Sequence, residues 1–414
     1  MYDVIVIGGG PSGMMAAGRA GELGAKVLIL EKNKELGKKL KITGGGRCNI
    51  TKAEFKIRKF LDNFSQASKF LHSPFSQFSA KDTFTFFEEK LKLPLVIEAK
   101  NRAFPKSQKA TDVCHVLEKY LQKYKVEIQL GITVTEIRKN ENRIHKIKTD
   151  KGDFEAKFYI LATGGLSAPE TGSTGDGLRF LNKLEHKIKK IKPNVVPLTT
   201  KEKWVQGLSG TTWSFLKLSF KQNNKTKIKK LGKILFTHFG ISGPLVLNSS
   251  YEVQELLEGG PVSASLDLFP ETDVSDLDRR IWRLFELNKN KMVKNILPEL
   301  LNKKLSETIL AFPNLNFGNQ AVNSITKEER RKITNVLKNL EFEISGTLGY
   351  KKSVVTAGGI DLKEINFKTM QSIKYNNLYI LGDLLNINRP SGGYSLQLCW
   401  TTGWVAGSHV ASQL

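Results

Sequence analysis

The sequence predicts an α/β fold centred on a parallel sheet, and three observations predict it. Residues 2–31 run from an apolar stretch, Tyr2-Asp-Val-Ile-Val-Ile7, through Gly8-Gly-Gly-Pro-Ser-Gly13 and a helix-patterned segment to a second apolar stretch ending at Glu31. Strand-like and helix-like periodicities then alternate as far as residue 165, the pattern of strands joined by crossover helices. The same style returns after residue 351, in Val354-Val-Thr-Ala-Gly-Gly-Ile360 and Leu378-Tyr-Ile-Leu-Gly-Asp383, after a long stretch of different character.

In the first unit each glycine has its own task. Gly8 permits the tight turn out of the strand, Gly10 lets the backbone approach a pyrophosphate, and Gly13 lets the helix pack closely on the sheet. The helix directs free N–H groups and its positive end at the phosphates. Glu31 lies 18 residues beyond Gly13, near the ~20 at which a carboxylate binds ribose hydroxyls. A dinucleotide site is the expectation.

The other elements follow in order. Residues 36–49 form a glycine- and lysine-rich connection, 60–92 read as helical, and 109–124 place Ala110, Val113, Val116, Leu117 and Tyr120 on one helix face. Strands are expected at 126–130, 133–139 and 144–149, the later ones as an antiparallel ribbon, then a buried strand at 158–162 running into Thr163-Gly-Gly165. Asp176 reads as a helix cap and the lysine run at 187–192 as a helix end. Residues 195–268 suggest an all-β unit, 276–312 amphipathic helices, and 326–340 a helix opened by a Thr326/Glu329 capping box. A final helix follows Gly393. The expected domains are 1–192 and 351–414 for a nucleotide-binding domain made of both chain ends, 193–272 for a β insertion, 273–325 for a helical part and 326–350 for its return.

At 414 residues the chain exceeds one typical core, and 40% hydrophobic with 25% charged content suits a soluble globular protein. Cys48, Cys114 and Cys399 form no CxxC pair, which excludes a disulfide framework and points to a reducing, cytoplasmic setting. No apolar run reaches the ~18 residues of a membrane span. Neither HExxH nor GxSxG occurs, and no His/Cys/Asp cluster has ligand spacing, so no metal is expected. The 64 basic and 40 acidic residues give a net charge of +24. With 13 arginines among them, and no aromatic interleaving in the runs at 187–192 and 221–230, this charge reads as a solvated surface. A nucleic-acid partner ranks as unlikely, below a small-molecule substrate; the oligomeric state stays open.

Three further places carry candidate chemistry. Gly382-Asp383 ends an apolar strand, where a carboxylate meets a ribityl hydroxyl, and Gly392-Gly393-Tyr394 opens a helix whose N–H groups suit the N1/O2 edge of a reduced flavin. Thr43-Gly-Gly-Gly-Arg-Cys-Asn49 combines glycines for close approach with the permanent charge of Arg47. Cys48 has three readings: packing beside a flavin, covalent attachment, or a redox thiol, with packing foremost. His238, on a loop of the insertion, reads either as a proton donor or as a residue bonding its turn.

The strings Gly8–Gly13, Glu31, Lys39-Leu40, Gly44-Gly-Gly-Arg-Cys-Asn49, Ala162-Thr-Gly-Gly165, Thr237-His-Phe-Gly-Ile-Ser-Gly-Pro244, Val355-Thr-Ala-Gly-Gly359 and Gly392-Gly-Tyr-Ser-Leu-Gln397 together resemble the YhiN-type (BaiN-like) family of three-domain bacterial FAD flavoproteins. The resemblance spans the chain. It implies a Rossmann-type FAD-binding domain of glutathione-reductase type with an inserted β-barrel and a small helical domain. It also implies FAD held by Gly8, Gly10, Pro11, Ser12, Gly13, Glu31, Lys32, Lys39, Leu40, Gly45, Gly46, Arg47, Cys48, Asn49, Val134, Ala162, Thr163, Gly164, Gly165, Gly382, Asp383, Gly392, Gly393, Tyr394 and Gln397. The adenosine end falls near Glu31 and Val134, the flavin end near Arg47, Asn49, Asp383, Gly393 and Tyr394. Asn386-Ile-Asn-Arg-Pro390 departs from the acidic stretch common in the family, which makes Arg389 a candidate for anionic substrates. Members include a reductase of unsaturated keto bile acids and an aminoacetone oxidase. The expected activity is hydride transfer between flavin and a small organic substrate held between the FAD domain and the insertion. A second GxGxxG unit is absent, so NADH or NADPH enters only as a transient donor. A reductase of an activated C=C bond stands first, an O2-using amine oxidase second, and an FAD-dependent RNA-associated or RNA-modifying protein third.

Overall fold

The computed structural model describes all 414 residues, which divide into two compact units, 1–194 with 350–414, and 195–349. In the first unit a five-stranded sheet has the order Leu378–Ile380, Ala156–Leu161, Tyr2–Ile7, Val27–Glu31, Glu127–Leu130, with every pairing parallel. Its central strands are almost wholly apolar because helices cover both faces. The helix after the glycine turn (Pro11–Glu22) packs on the C-terminal helix (Tyr394–Ala411). Glycines set that approach: a Cβ at Gly403 would lie 2.6 Å from the Ser12 carbonyl oxygen, and one at Gly407 2.5 Å from that of Ala16. Both chain ends therefore share one core.

An antiparallel ribbon, Val134–Asn140, Arg143–Thr149 and Gly152–Phe154, flanks the sheet. The 60–92 region breaks into short helices, including Ser68–Gln77 and Ala80–Thr85, whose phenylalanines build an aromatic cluster. The lysine run at 187–192 is not a helix end. It lies in a strand, Ile188–Asn194, paired antiparallel with Val355–Ile360. Gly358 (φ +86°) permits this pairing, since a Cβ there would meet the Lys190 carbonyl oxygen at 2.2 Å. Ile188 and Ile191 stand three residues apart among lysines, a helix-like spacing that misleads a sequence reading.

The second unit is a closed antiparallel barrel in the order Leu198–Thr200, Gly240–Ser242, Lys225–Thr237, Thr212–Gln222, Val262–Asp267, Leu340–Thr347. Closure removes exposed strand edges. The helices Val274–Glu286, Lys303–Leu310 and Lys327–Lys338 lie in sequence before its last strand. They bury Ile281, Leu305 and Ile333 in the same apolar cluster as barrel residues Phe220, Phe236 and Leu266. Thr326 Oγ1 accepts from the Glu329 N–H (3.1 Å) and Glu329 Oε2 from the Thr326 N–H (2.9 Å), a complete capping box. No helix is long and apolar enough to cross a membrane.

Candidate functional site

A groove opens at the C-terminal edge of the parallel sheet, where α/β proteins hold ligands. It is lined by the glycine turn, the end of the second strand at Glu31–Asn33, Lys39, Ile132–Val134, Ala162–Gly164, Ser173, Asp383 and Cys399. The glycines of the turn differ in what they spare. Gly8 has φ +106°, and a Cβ there would sit 2.6 Å from the Ala162 carbonyl oxygen. A Cβ at Gly13 would lie 1.9 Å from the Gly8 carbonyl oxygen. At Gly10 a Cβ would meet no protein atom within 4 Å. Gly10 is thus open toward the groove, while Gly8 and Gly13 serve the fold. Pro11 starts the helix and no side chain caps it, so its first N–H groups remain for an anion.

Glu31 is buried, and three donors hold its carboxylate: the Gly9 N–H (2.7 Å), the Asn33 N–H (2.8 Å) and the Asn33 side-chain amide (2.8 Å). A carboxylate offers about four acceptor positions, which leaves one for a ribose hydroxyl. Lys32 Nζ donates to Asp176 (2.6 Å) and Thr174 (2.6 Å) across the groove. Asp176 is the first helical residue, not the cap; Gly175 takes that place in a left-handed conformation, and Arg179 also binds the Asp176 carboxylate.

Opposite lies a buried charged group. Burial raises the Asp383 pKa, but Arg389 and Lys39 outweigh it and hold the carboxyl below its ordinary value. Lys39 Nζ stands 3.6 Å from Asp383 Oδ2 and is shielded from solvent with no hydrogen-bond partner. An ammonium left unsatisfied against a groove with an open helix N-terminus fits an anionic ligand. These residues fit the pyrophosphate, ribose and ribityl parts of FAD.

Arg389 does not face an open side. Its side chain is buried, its guanidinium binds the Asp383 carboxylate, and it donates to the Ile387 carbonyl (2.8 Å) and Ser395 Oγ (3.0 Å). The distinctive 43–49 loop is also largely engaged. Gly44, Gly45 and Gly46 all have positive φ. Arg47 pairs with Glu98 (2.9 Å), bonds Gln108 (3.0 Å) and stacks over Phe104 (4.3 Å). Cys48 is buried at φ +61°, and burial pushes its thiol up to about 12. The Asn49 amide, oriented to suit its neighbours, accepts from the Gly393 N–H (3.0 Å) and donates to the Thr51 carbonyl (3.0 Å). That contact ties the loop to the start of the C-terminal helix.

The groove therefore gathers Gly8, Gly10, Pro11, Ser12, Glu31, Lys32, Lys39, Val134, Ala162, Thr163, Gly164 and Asp383. Other expected residues lie behind or beside it. Leu40 is core, and Gly165 clears the Thr356 side chain. Gly382 clears Ser12 Oγ, and Gly393 clears the Thr51 backbone. Tyr394 packs against Phe60 (5.0 Å) and Phe64 (5.9 Å). Gln397 Oε1 accepts from Thr51 (2.6 Å) and Thr83 (2.9 Å). Gly9, Asn33, Thr133, Ser173 and Cys399 line the groove without having been singled out. Of these, Asn33 alone had a usable signal, an amide two residues beyond the ribose carboxylate. His238 is exposed at the turn between barrel strands Lys225–Thr237 and Gly240–Ser242, its ring edge-on to Phe239.

Fold and groove define an FAD-dependent oxidoreductase of Rossmann architecture. The chain matches the HI0933-like protein Rossmann domain over residues 2–409 and belongs to that family. It is 28% identical to a ribosomal RNA dihydrouridine synthase of Haemophilus influenzae, covering 99% of this chain and 98% of the relative. It is also 28% identical to a 3-dehydro-bile acid delta(4,6)-reductase of Clostridium scindens, covering 100% of both. A 3-ketosteroid delta1-dehydrogenase from Sterolibacterium denitrificans shares the fold, with a TM-score of 0.54 at 14% identity over 100% of both chains.

Proposed function

We propose that this chain reduces a carbon–carbon double bond conjugated with a carbonyl, drawing electrons from NADH or NADPH through FAD, and that its substrate is a uracil ring in ribosomal RNA. One observation carries the reading. Two relatives aligned over almost their whole length have dissimilar substrates and one shared chemistry. Dihydrouridine is uridine with two hydrogens added across its C5–C6 bond, and a 3-dehydro-delta(4,6) substrate presents double bonds in conjugation with its ketone. The charge of +24 favours the polyanionic substrate over the bile acid. This raises nucleic acid above the place the sequence reading gave it.

FAD, when bound, supplies hydride to the electron-poor carbon of the double bond. The protein supplies the rest. The Pro11–Glu22 N-terminus and Lys39 would neutralise the pyrophosphate, Glu31 would orient the adenosine ribose, and Asp383, held by Arg389, would accept from a ribityl hydroxyl. The other carbon then needs a proton, and His238 is the candidate donor.

The test is incubation of the purified yellow protein with NADPH and unmodified ribosomal RNA, followed by nucleoside mass spectrometry. Dihydrouridine formation supports the reading. Rapid flavin bleaching by NADPH with turnover of an unsaturated 3-keto steroid alone moves the substrate to the small-molecule class. No bleaching, with peroxide formed from amines, replaces the reductase by an oxidase.

A further inference from the structure

We propose that the outward face of the long barrel hairpin, Thr212–Gln222 with Lys225–Thr237, is a docking surface for the phosphodiester backbone of RNA. The proposal rests on the RNA reading above and assigns it a place. Between residues 203 and 251 the chain has eight lysines and no acidic residue. In the second hairpin strand Lys225, Lys227, Lys229, Leu231 and Lys233 alternate with Ile228 and Ile234, which are buried in the barrel. The lysines at these alternate positions are all exposed. Successive members stand ~6.7 Å apart along the strand.

Partners divide the lysines into two groups. Lys217, Lys221 and Lys230 are neutralised by Asp267, Glu341 and Glu252. Lys225, Lys227, Lys229 and Lys233 have no acidic partner among the ion pairs of the structure. Four uncompensated ammonium groups along one strand repel one another, and a polyanion laid along them relieves that repulsion. Two apolar side chains stand on the same hairpin, Phe215 at 44% exposure and Leu231 at 58%. Leu231 pairs with Lys217 and lies between Lys229 and Lys233. A ring and an aliphatic side chain set among cations suit unstacked bases beside a bound backbone.

The test is filter binding of the FAD-loaded protein to a short uridine-rich single-stranded RNA across a range of salt. The variant carries Lys225→Gln, Lys227→Gln, Lys229→Gln and Lys233→Gln. A charge-matched control carries Lys92→Gln, Lys106→Gln, Lys119→Gln and Lys123→Gln. With ~0.7 counterions released per phosphate contact, losing four contacts should flatten the slope of log K against log salt by about 3. The control should keep the parental slope, and both variants should keep flavin absorbance and melting temperature. A hairpin variant with the parental slope overturns the surface and leaves the RNA reading standing. Equal losses in both variants overturn the localisation. Absence of salt-sensitive binding by the unmodified protein overturns the RNA reading itself.

Discussion

Gly10→Val separates a requirement of the ligand from a requirement of the fold. Gly10 has φ −79° and ψ −177°, extended values that valine adopts, and its Cβ position is empty. The cofactor-free variant should stay within about 1 kcal/mol of the parent, because the restricted unfolded chain is set against a poorer residue at the helix N-cap. Its isopropyl group would occupy the place expected for the pyrophosphate. FAD at about a hundred times its Kd stabilises the parent by ~2.7 kcal/mol, equivalent to roughly 5–10 °C at ~2–4 °C per kcal/mol. That gain should vanish in Gly10→Val. Gly13→Ala is the contrast, because its Cβ would collide with the Gly8 carbonyl oxygen at 1.9 Å. Overpacking of this kind costs about 1–3 kcal/mol, in the presence or absence of FAD. The assay is thermal unfolding of flavin-stripped protein, repeated after reconstitution, with bound flavin read from its absorbance. Undiminished FAD binding by Gly10→Val would refute the placement of the phosphates.

Arg389→Met should cost about 1–3 kcal/mol in urea unfolding, because it removes the guanidinium partner of Asp383 and leaves Lys39 alone beside the carboxylate, and adding Asp383→Asn should recover part of the loss. The Asp383 pKa in the fold is below its ordinary 3.8, so this pairing stabilises above that value and is lost as pH falls through the lower folded one. The difference in stability between parent and Asp383→Asn should therefore shrink on acidification below about pH 4; a pH-independent difference would argue against the ion pair. Burial raises Cys48 and Cys114 to about 12 and Cys399 to about 11. The native protein should show no rapid reaction with Ellman's reagent at pH 8 and should react only on unfolding; one fast equivalent would revive the redox-thiol reading of Cys48. His238→Gln should lower turnover by about 10²–10⁴ with no change in flavin bleaching by NADPH, and parental turnover would remove His238 from the chemistry.

What the sequence disclosed and what it hid divide along physical lines. The glycine turn, the run of apolar strands and the capping box at Thr326 are local patterns, and each stands in the structure where the residues imply. The carboxylate of Glu31 was legible because strand length and helix length set its distance from Gly13. Arg389 was not. Its charge suggested an open site, while the carboxylate of Asp383, six residues before it, takes its guanidinium. The partners of Arg47 were hidden too, since Glu98 and Gln108 come from segments far along the chain. Charged side chains declare their sign in a sequence, but burial and partners decide what they do. The strand at Ile188–Asn194 needed Gly358 to admit it, and that clearance arises only once the strands meet.

The clasp between the first helix and the last has a consequence for synthesis. The glycine turn is made nearly four hundred residues before Gly403 and Gly407, which let the helix Tyr394–Ala411 settle onto Ser12 and Ala16. Throughout elongation the coenzyme cradle lacks both Asp383 and its backing helix. The barrel unit, contiguous in the chain, is free to fold in the interval. The groove is thus complete only once the helix Tyr394–Ala411 has been made.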